Sequence, residues 1–127
     1  MAEGMSTFMA SRVLDALGNG APWSVAQVHV QLHVGPPGAA GTANPAVETR
    51  RMPVSFAVAA GSVISNDVSV TWATIAGAQD PTHFTGWDAA AGGNFLFSGL
   101  VESAPYAAGN TLQFSPGALY ASLQTAS

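Results

Sequence analysis

From position 25 onward, turn-forming residues divide the chain into short segments in which apolar and polar side chains alternate. In residues 25–34, every second residue from position 28 is Val or Leu, and the positions between carry His or Gln. A period of two places one set of side chains in a core and the other on the opposite face, as expected of a half-buried strand. Segments this short are typical of strands, so the pattern predicts a protein built of sheets.

Six further segments between turns have strand character: residues 53–59, 68–75, 83–89, 94–102, 111–114 and 119–124. Residues 61–66 are predicted to form a turn, and Gly92-Gly93 the tight turn of a hairpin. Six or seven short strands at this spacing predict an all-β fold, a β-sandwich or jelly-roll-like arrangement. We place the β-sandwich at about residues 25–124, within a single domain that spans residues 1–127.

The N-terminal segment is the exception, because its periodicity predicts a helix over about residues 5–17. Its apolar residues recur every four positions, at Met5, Met9, Val13 and Leu17, with Leu14 beside them. Ser6 or Thr7 can cap the start, and Gly18 favours the end. Two interpretations remain open: the helix covers an open end of the core, or it is an arm that docks on a neighbouring subunit. The position of Phe8 outside the apolar stripe favours the arm.

The chain carries very little charge, which excludes several function classes. Charged residues make up 8% of the sequence, where about 25% is usual. Three Arg, no Lys and seven acidic residues give a net charge of -4, too few cations to bind nucleic acid or an anionic membrane surface. The hydrophobic fraction of 48% excludes a disordered chain. We expect so apolar a surface to pack against other subunits, including neighbouring copies of this chain.

Residues that could support catalysis or metal binding are scattered. His29 and His33 lie on one face of one predicted strand, about 13 Å apart, too far to share a metal ion, and His83 adds no close ligand. The acidic residues form no pair suited to glycoside hydrolysis, and no nucleophile elbow or phosphate-binding loop is present. Glu48 and Asp88 are better explained as ion-pair partners of the neighbouring arginines. We therefore expect no enzyme activity, no cofactor and no metal.

Aromatic residues allow a further possibility. Six of them lie in or near the predicted strands: Trp72, Phe84, Trp87, Phe95, Phe97 and Tyr106. Because most alternate with polar residues in apolar strands, they are predicted to form the core. A glycan-binding platform or a subunit interface remains an alternative, and exposure of Trp72 or Trp87 would support the platform.

Residues 35–46, with the sequence GPPGAAGTANPA, form a long predicted loop. Loops of this length without secondary structure are usually functional or held by a partner. Together with the N-terminal helix and the two adjacent arginines, this loop supplies the residues that we predict to contact a partner: Phe8, Met9, Gly35, Pro36, Pro37, Gly38, Gly41, Asn44, Arg50 and Arg51.

Several motifs resemble those of one group of phage proteins. They are LDAL at 14–17, VQLHVGPPGAAGTAN at 30–44, TR at 49–50, WATI at 72–75, THFTGWDA at 82–89, GGNFL at 92–96, GNTL at 109–112 and GAL at 117–119. In combination they resemble small virion proteins of tailed phages that infect actinobacteria, over about residues 14–120. Val34 and Pro36 depart from that pattern, which usually has Thr and Asp, so any hydrogen bond made by that Asp is missing here.

The resemblance implies a β-rich structural part of the phage particle, of the capsid decoration, minor capsid or minor tail type. We expect a decoration or minor capsid protein on the capsid surface that binds the major capsid protein and cements the shell. A minor tail or tail-tip protein that contacts tail proteins is the alternative, and a glycan- or receptor-binding module of the virion is a third.

Overall fold

The structure is a computed structural model that describes residues 4–75, 77–101 and 109–122. These residues contain one helix and eight strands: α1 (Thr7–Gly18), β1 (Val28–His33), β2 (Met52–Val54), β3 (Val63–Ser65), β4 (Val70–Trp72), β5 (His83–Trp87), β6 (Phe95–Val101), β7 (Leu112–Phe114) and β8 (Leu119–Ser122). Among them, no helix has the length and apolar character needed to cross a bilayer.

The strands form two antiparallel sheets, which confirms the predicted all-β fold. Six strands make one sheet in the order β2-β1-β5-β6-β8-β3, and β4 pairs with β7 in a second, two-stranded sheet. Apolar side chains from both sheets meet in one core cluster. Trp72 of the small sheet packs edge-on against Phe114, with ring centroids 5.9 Å apart.

The centre of the large sheet is the pairing of β1, β5 and β6. Val30 and Leu32 of β1 are fully buried, as the alternation predicts. His33 is fully buried as well, although it lies on the face predicted to be polar. The reason is that residues 35–46 fold back over that end of the sheet, so β1 is covered on both faces there.

One strand lies where a turn was predicted, and several other strands are shorter than predicted. β3 lies inside residues 61–66, which were predicted to be a turn. The turn itself needs only Gly61 and Ser62, both at positive φ, and Val63 then begins a strand that pairs with β8. The predicted strands 53–59 and 68–75 each correspond to an observed strand of only three residues, β2 and β4. Residue 102 of the predicted strand 94–102 and residues 123–124 of the predicted strand 119–124 lie outside the described residues.

Helix α1 begins and ends close to the predicted positions. The hydroxyl of Ser6 accepts a hydrogen bond from the backbone N–H of Met9 at 3.0 Å, which satisfies one free donor of the first turn. Phe8 and Met9 pack against the core cluster, but no residue of the helix is buried. The helix therefore covers the core only with its first turn, and its docking on a neighbouring subunit stays a prediction.

Candidate partner-contact surface

The long loop is an ordered element that folds back on its own sheet. Backbone hydrogen bonds join Val34 to Asn44, Ala43 to Pro37 and Gly41 to Gly38. The side-chain amide of Asn44 also donates to the carbonyl oxygen of Pro36 at 2.9 Å. These bonds fold residues 35–46 into a compact, hairpin-like loop. Hydrogen bonds within the loop therefore order it despite its length.

Gly41 anchors the loop to the sheet. A Cβ atom added to Gly41 would lie 2.6 Å from atoms of the Phe95 ring, and its φ of +73° is one that glycine adopts without strain. Pro37 is also buried. The structure therefore gives Gly41 and Pro37 a role inside this chain, whereas Pro36 and Asn44 are exposed, and their contact with a partner stays a prediction.

A chain of hydrogen bonds fixes the buried polar residues beneath this loop. The indole N–H of Trp87 donates to Oγ1 of Thr85 at 2.8 Å, and that hydroxyl lies 3.0 Å from Nε2 of His33. Nδ1 of His33 lies 2.8 Å from the carbonyl oxygen of Ala43. Since a carbonyl only accepts, Nδ1 carries the proton and Nε2 accepts from Thr85.

This arrangement satisfies the neutral imidazole of His33. Burial lowers its pKa from the ordinary value, although hydrogen bonds to the backbone of Ala43 and Asn44 act in the opposite direction and the nearby His83 adds to the lowering. His33 therefore joins the loop to the sheet, with both ring nitrogens engaged in hydrogen bonds within the chain. Among the described residues, no three His, Asp or Glu side chains are grouped closely enough to hold a metal ion.

Arg51 is held by contacts within the chain. Its guanidinium carbon lies 4.0 Å from the centre of the Trp87 ring, and Nη1 donates to the carbonyl oxygens of Ala89 and Gly92 at 3.0 and 2.7 Å. Partial burial lowers the pKa of Arg51, and the charge of Asp88 opposes that change. The residue ties β2 to the loop between β5 and β6.

Arg50 is held in the same way. It forms an ion pair with Glu48 at 2.9 Å, and the same carboxylate also accepts from the backbone N–H of Arg50. The side chain of Glu48 is almost fully buried, whereas about half of the Arg50 side chain is exposed. The ion pair predicted for Glu48 is therefore present, whereas the carboxylate of Asp88 accepts hydrogen bonds from Asn94 and influences Arg51 only through its charge. The exposed half of Arg50 leaves room for the partner contact that stays a prediction.

Trp72, Phe84 and Phe97 belong to the core cluster as predicted, Phe95 is half-buried, and the exposure of Trp72 or Trp87 that would support a glycan platform is missing. Trp72 is fully buried and Trp87 is 8% exposed. Phe84 and Phe97 meet edge-on at 5.9 Å inside the core, and Phe95 is covered by Gly41. Tyr106 lies outside the described residues. Neither Trp72 nor Trp87 therefore presents a ring face to solvent for a sugar.

Three of the seven exposed large apolar side chains among the described residues lie together on α1. Its side chains of Val13, Leu14 and Leu17 are 38%, 64% and 83% exposed, although the apolar stripe predicted a covered face. Phe8 and Met9, the two predicted contact residues of this helix, are half-buried, and Phe8 meets the ring of Trp23 at 6.4 Å. The stripe thus runs from the body of the protein outward into solvent.

Two further features of this side of the molecule escaped the sequence analysis. Val58, in a connection predicted to be strand, is 94% exposed. An apolar pocket of about 180 Å³ lies between α1, β3, β6 and β8, where Met9, Ile64 and Phe97 line it. The only feature of the sequence that pointed to the exposure of Val58 was the run of four small apolar residues at 57–60. Nothing in the sequence pointed to the pocket, because residues from four separate elements form it.

A family model described as Podophage GP4 fiber I protein gp80 matches residues 4–122, almost the whole sequence. No curated protein matches the chain.

Proposed function

The chain belongs to the family of the podophage GP4 fiber I protein gp80 and is a phage virion structural protein; on that premise we propose that it is a non-enzymatic subunit of a virion fibre, placed at the tail. Sequence analysis favoured the capsid surface and kept a tail protein as the alternative. The fibre description of the family supports the tail alternative.

The observation that carries this proposal is the uncovered apolar stripe on α1. Leu14 and Leu17 are largely exposed on a chain with only ten charged residues, three basic and seven acidic. Burial of apolar surface contributes about 25 cal/mol per Å², and a subunit held by several neighbours at once multiplies weak contacts. Such a surface suits a protein that is covered by other structural subunits in the particle.

The interior supports a structural role and not a catalytic one. The buried polar side chains of His33, Glu48, Asn66, Thr85 and Ser98 hydrogen-bond to the backbone or to one another. Each of these bonds holds a loop or strand in place. Their engagement in the fold supports our proposal that the protein has no enzyme activity.

Labelling intact virions tests the placement. Gold-conjugated antibodies raised against this chain should bind the fibres or the tail tip in electron micrographs, and heads should remain unlabelled. Label over the whole head would instead support the capsid decoration role expected from the resemblance, and heating decorated and undecorated heads would then test whether the protein cements the shell. Particles without label on any part would contradict both placements.

A further inference from the structure

The first described residues of the chain form a short strand-like addition to the large sheet. The backbone N–H of Ser6 donates to the carbonyl oxygen of Leu96 at 2.7 Å, and that of Ser98 donates to Gly4 at 2.9 Å. These two bonds flank an antiparallel bridge between Met5 and Phe97. Two of its bonds join main-chain groups, which depend little on the identity of the side chains, and in a third the backbone N–H of Gly4 donates to the hydroxyl of Ser98 at 3.2 Å.

Residues 4–6 occupy part of a strand edge that β8 leaves open. β8 pairs with β6 only at Leu100 and Val101, and the remaining half of that β6 edge, residues 96–98, accepts residues 4–6. The edge would present free N–H and C=O groups without this segment. It is therefore a docking position for one short extended segment.

Phe8 and Met9 still pack against the core cluster, and after residue 10 the chain leaves the body. None of residues 11–22 is buried, and their backbone hydrogen bonds in this stretch are local, such as those from Asn19 and Ala21 to Asp15. An isolated helix of 12 residues is only marginally stable in water. Helix α1 thus lacks the burial that stabilises most helices, and its stripe of Val13, Leu14 and Leu17 faces solvent.

The chain returns to the body through a tight turn after α1. Asn19 caps the helix, Gly20 has a φ of +65°, and Pro22 precedes the half-buried Trp23. We name residues 19–22 the hinge, and residues 4–18 the arm. If the hinge straightened, the arm would point away from its own body, toward a neighbouring copy.

We propose that the arm is exchanged between copies of this chain: residues 4–6 of one copy pair with the 96–98 edge of a second copy, and the reverse. The docking hydrogen bonds are those the chain already makes within itself, so a second copy fits this edge as well as the chain does. Exchange also brings two α1 helices between the bodies, where their apolar stripes can cover each other. Arg12 and Asp15 lie on the other side of the helix, so no charge would be buried.

Exchange between copies is independent of where in the virion the protein is placed. The high local concentration of copies in a particle would favour exchange, because neighbouring edges lie within reach of the arm.

Single cysteines test the exchange, because the chain has no native cysteine. Gly4 and Ser98 lie opposite each other beside the Met5–Phe97 bridge, joined by the bond from the N–H of Ser98 to the carbonyl oxygen of Gly4; residues opposite each other in an antiparallel pair have Cα atoms about 4.5–5.5 Å apart, within the range of a disulfide. A Cβ atom at Gly4 would lie more than 4 Å from every atom of Ser98, at the upper end of the Cβ–Cβ range of disulfides, so bond formation needs a small shift of residue 4 toward β6. A chain with Gly4→Cys and a differently tagged chain with Ser98→Cys should be co-expressed, concentrated and oxidised.

Exchange predicts a covalent heterodimer on non-reducing gels, at least tenfold more abundant than when Gly4→Cys is combined with Ser115→Cys, an exposed control position. The double variant G4C/S98C, alone and dilute, should form the disulfide within one chain. If it does so while the mixed chains give no more heterodimer than the control, the exchange is overturned. If no disulfide forms in any sample, the pairing itself is overturned.

A second pair of variants tests the hinge. Gly20→Val places a β-branched residue in the left-handed region and should shift the equilibrium toward exchange by about fivefold to 30-fold. Gly117→Val is the matched control, because Gly117 also has a positive φ and open space around it but lies far along the chain from the hinge. An equal amount of dimer from both variants would contradict the hinge.

Discussion

The guanidinium group of Arg51 stacks on the ring of Trp87 at 4.0 Å and donates to two carbonyl oxygens of the loop between β5 and β6. The same indole donates to Thr85, which joins it to His33. The two residues thus connect the edge strand β2, the β5–β6 loop and the loop 35–46 through one buried indole.

Replacing Arg51 with alanine should lower the free energy of unfolding by about 1–3 kcal/mol. The variant loses the cation–π contact and leaves the carbonyls of Ala89 and Gly92 without their donor. Urea unfolding followed by tryptophan fluorescence measures the change. Arg12→Ala is the control, because Arg12 lies over the Phe8 ring at 5.1 Å on the exposed helix; a loss as large as that of Arg51→Ala would contradict the argument.

Adding one methyl group to Gly41 should destabilise the protein far more than adding it to Gly38. Both glycines lie in the same loop at φ near +75°, but the new Cβ at Gly38 meets only Ala43 at 3.8 Å, whereas at Gly41 it overlaps the Phe95 ring. We expect Gly41→Ala to cost about 1–3 kcal/mol more than Gly38→Ala. Thermal unfolding of the two variants gives the comparison, and equal melting temperatures would be inconsistent with the loop packing described above.

Burial of neutral His33 predicts that the protein is less stable in mild acid. Because its pKa is lowered in the folded state, the unfolded chain takes up a proton near pH 6.5 before the folded chain does. Stability is therefore fully present above about pH 6.5 and falls as the pH drops below it, by at most about 1.4 kcal/mol per pH unit for this group. Unfolding free energies measured from pH 8 to pH 5 test this.

The variant His33→Gln should flatten that slope, although it will be less stable at every pH because Thr85 or Ala43 loses part of its hydrogen bonding. Between pH 8 and pH 9, where imidazoles do not titrate, the two proteins should give parallel curves. An unchanged slope in His33→Gln would assign the acid sensitivity to other groups.

Asn66 should tolerate no change to a carboxylate. Its amide nitrogen donates to the carbonyls of Val68 and Ser115, and its side-chain oxygen accepts from the backbone N–H of Gly117 and Leu119. In Asn66→Asp one carboxylate oxygen would face two carbonyl oxygens inside the protein, at a cost of about 2–4 kcal/mol. Asn110→Asp, at an exposed turn, is the control for the same replacement of an amide by a carboxylate. It should lower the free energy of unfolding by less than about 0.5 kcal/mol.

Polar substitutions on the exposed part of α1 should leave the fold intact and weaken assembly. The double variant L14S/L17S removes two side chains that are 64% and 83% exposed, so the melting temperature of the isolated protein should change little. Its incorporation into virions, measured by quantitative immunoblotting of purified particles, should fall at least severalfold. Val68→Ser removes an exposed apolar side chain elsewhere and should be incorporated normally; equal loss in both would show that α1 is not the assembly surface.

Much of the fold was predictable because it depends on local properties of the chain. A period of two in β1 determines which side chains lie on one face, so Val30 and Leu32 could be assigned to the core before any partner strand was known. The capping oxygen of Ser6 and the helical period of the next twelve residues likewise fix α1 locally. The predicted pairing of Glu48 with Arg50 depends on residues only two positions apart.

What the sequence could not decide depends on contacts between residues far apart in the chain. The alternation predicted which face of β1 carries His33 but not that residues 35–46 would bury it, and Val63 was assigned to a turn because its partner Ser122 lies 59 residues away. The stripe on α1 predicted an apolar face, but only the position of the body shows that its outer half is uncovered. The periodicity of a segment follows from the order of its own residues, whereas the burial of those residues depends on which distant segments of the chain pack against them.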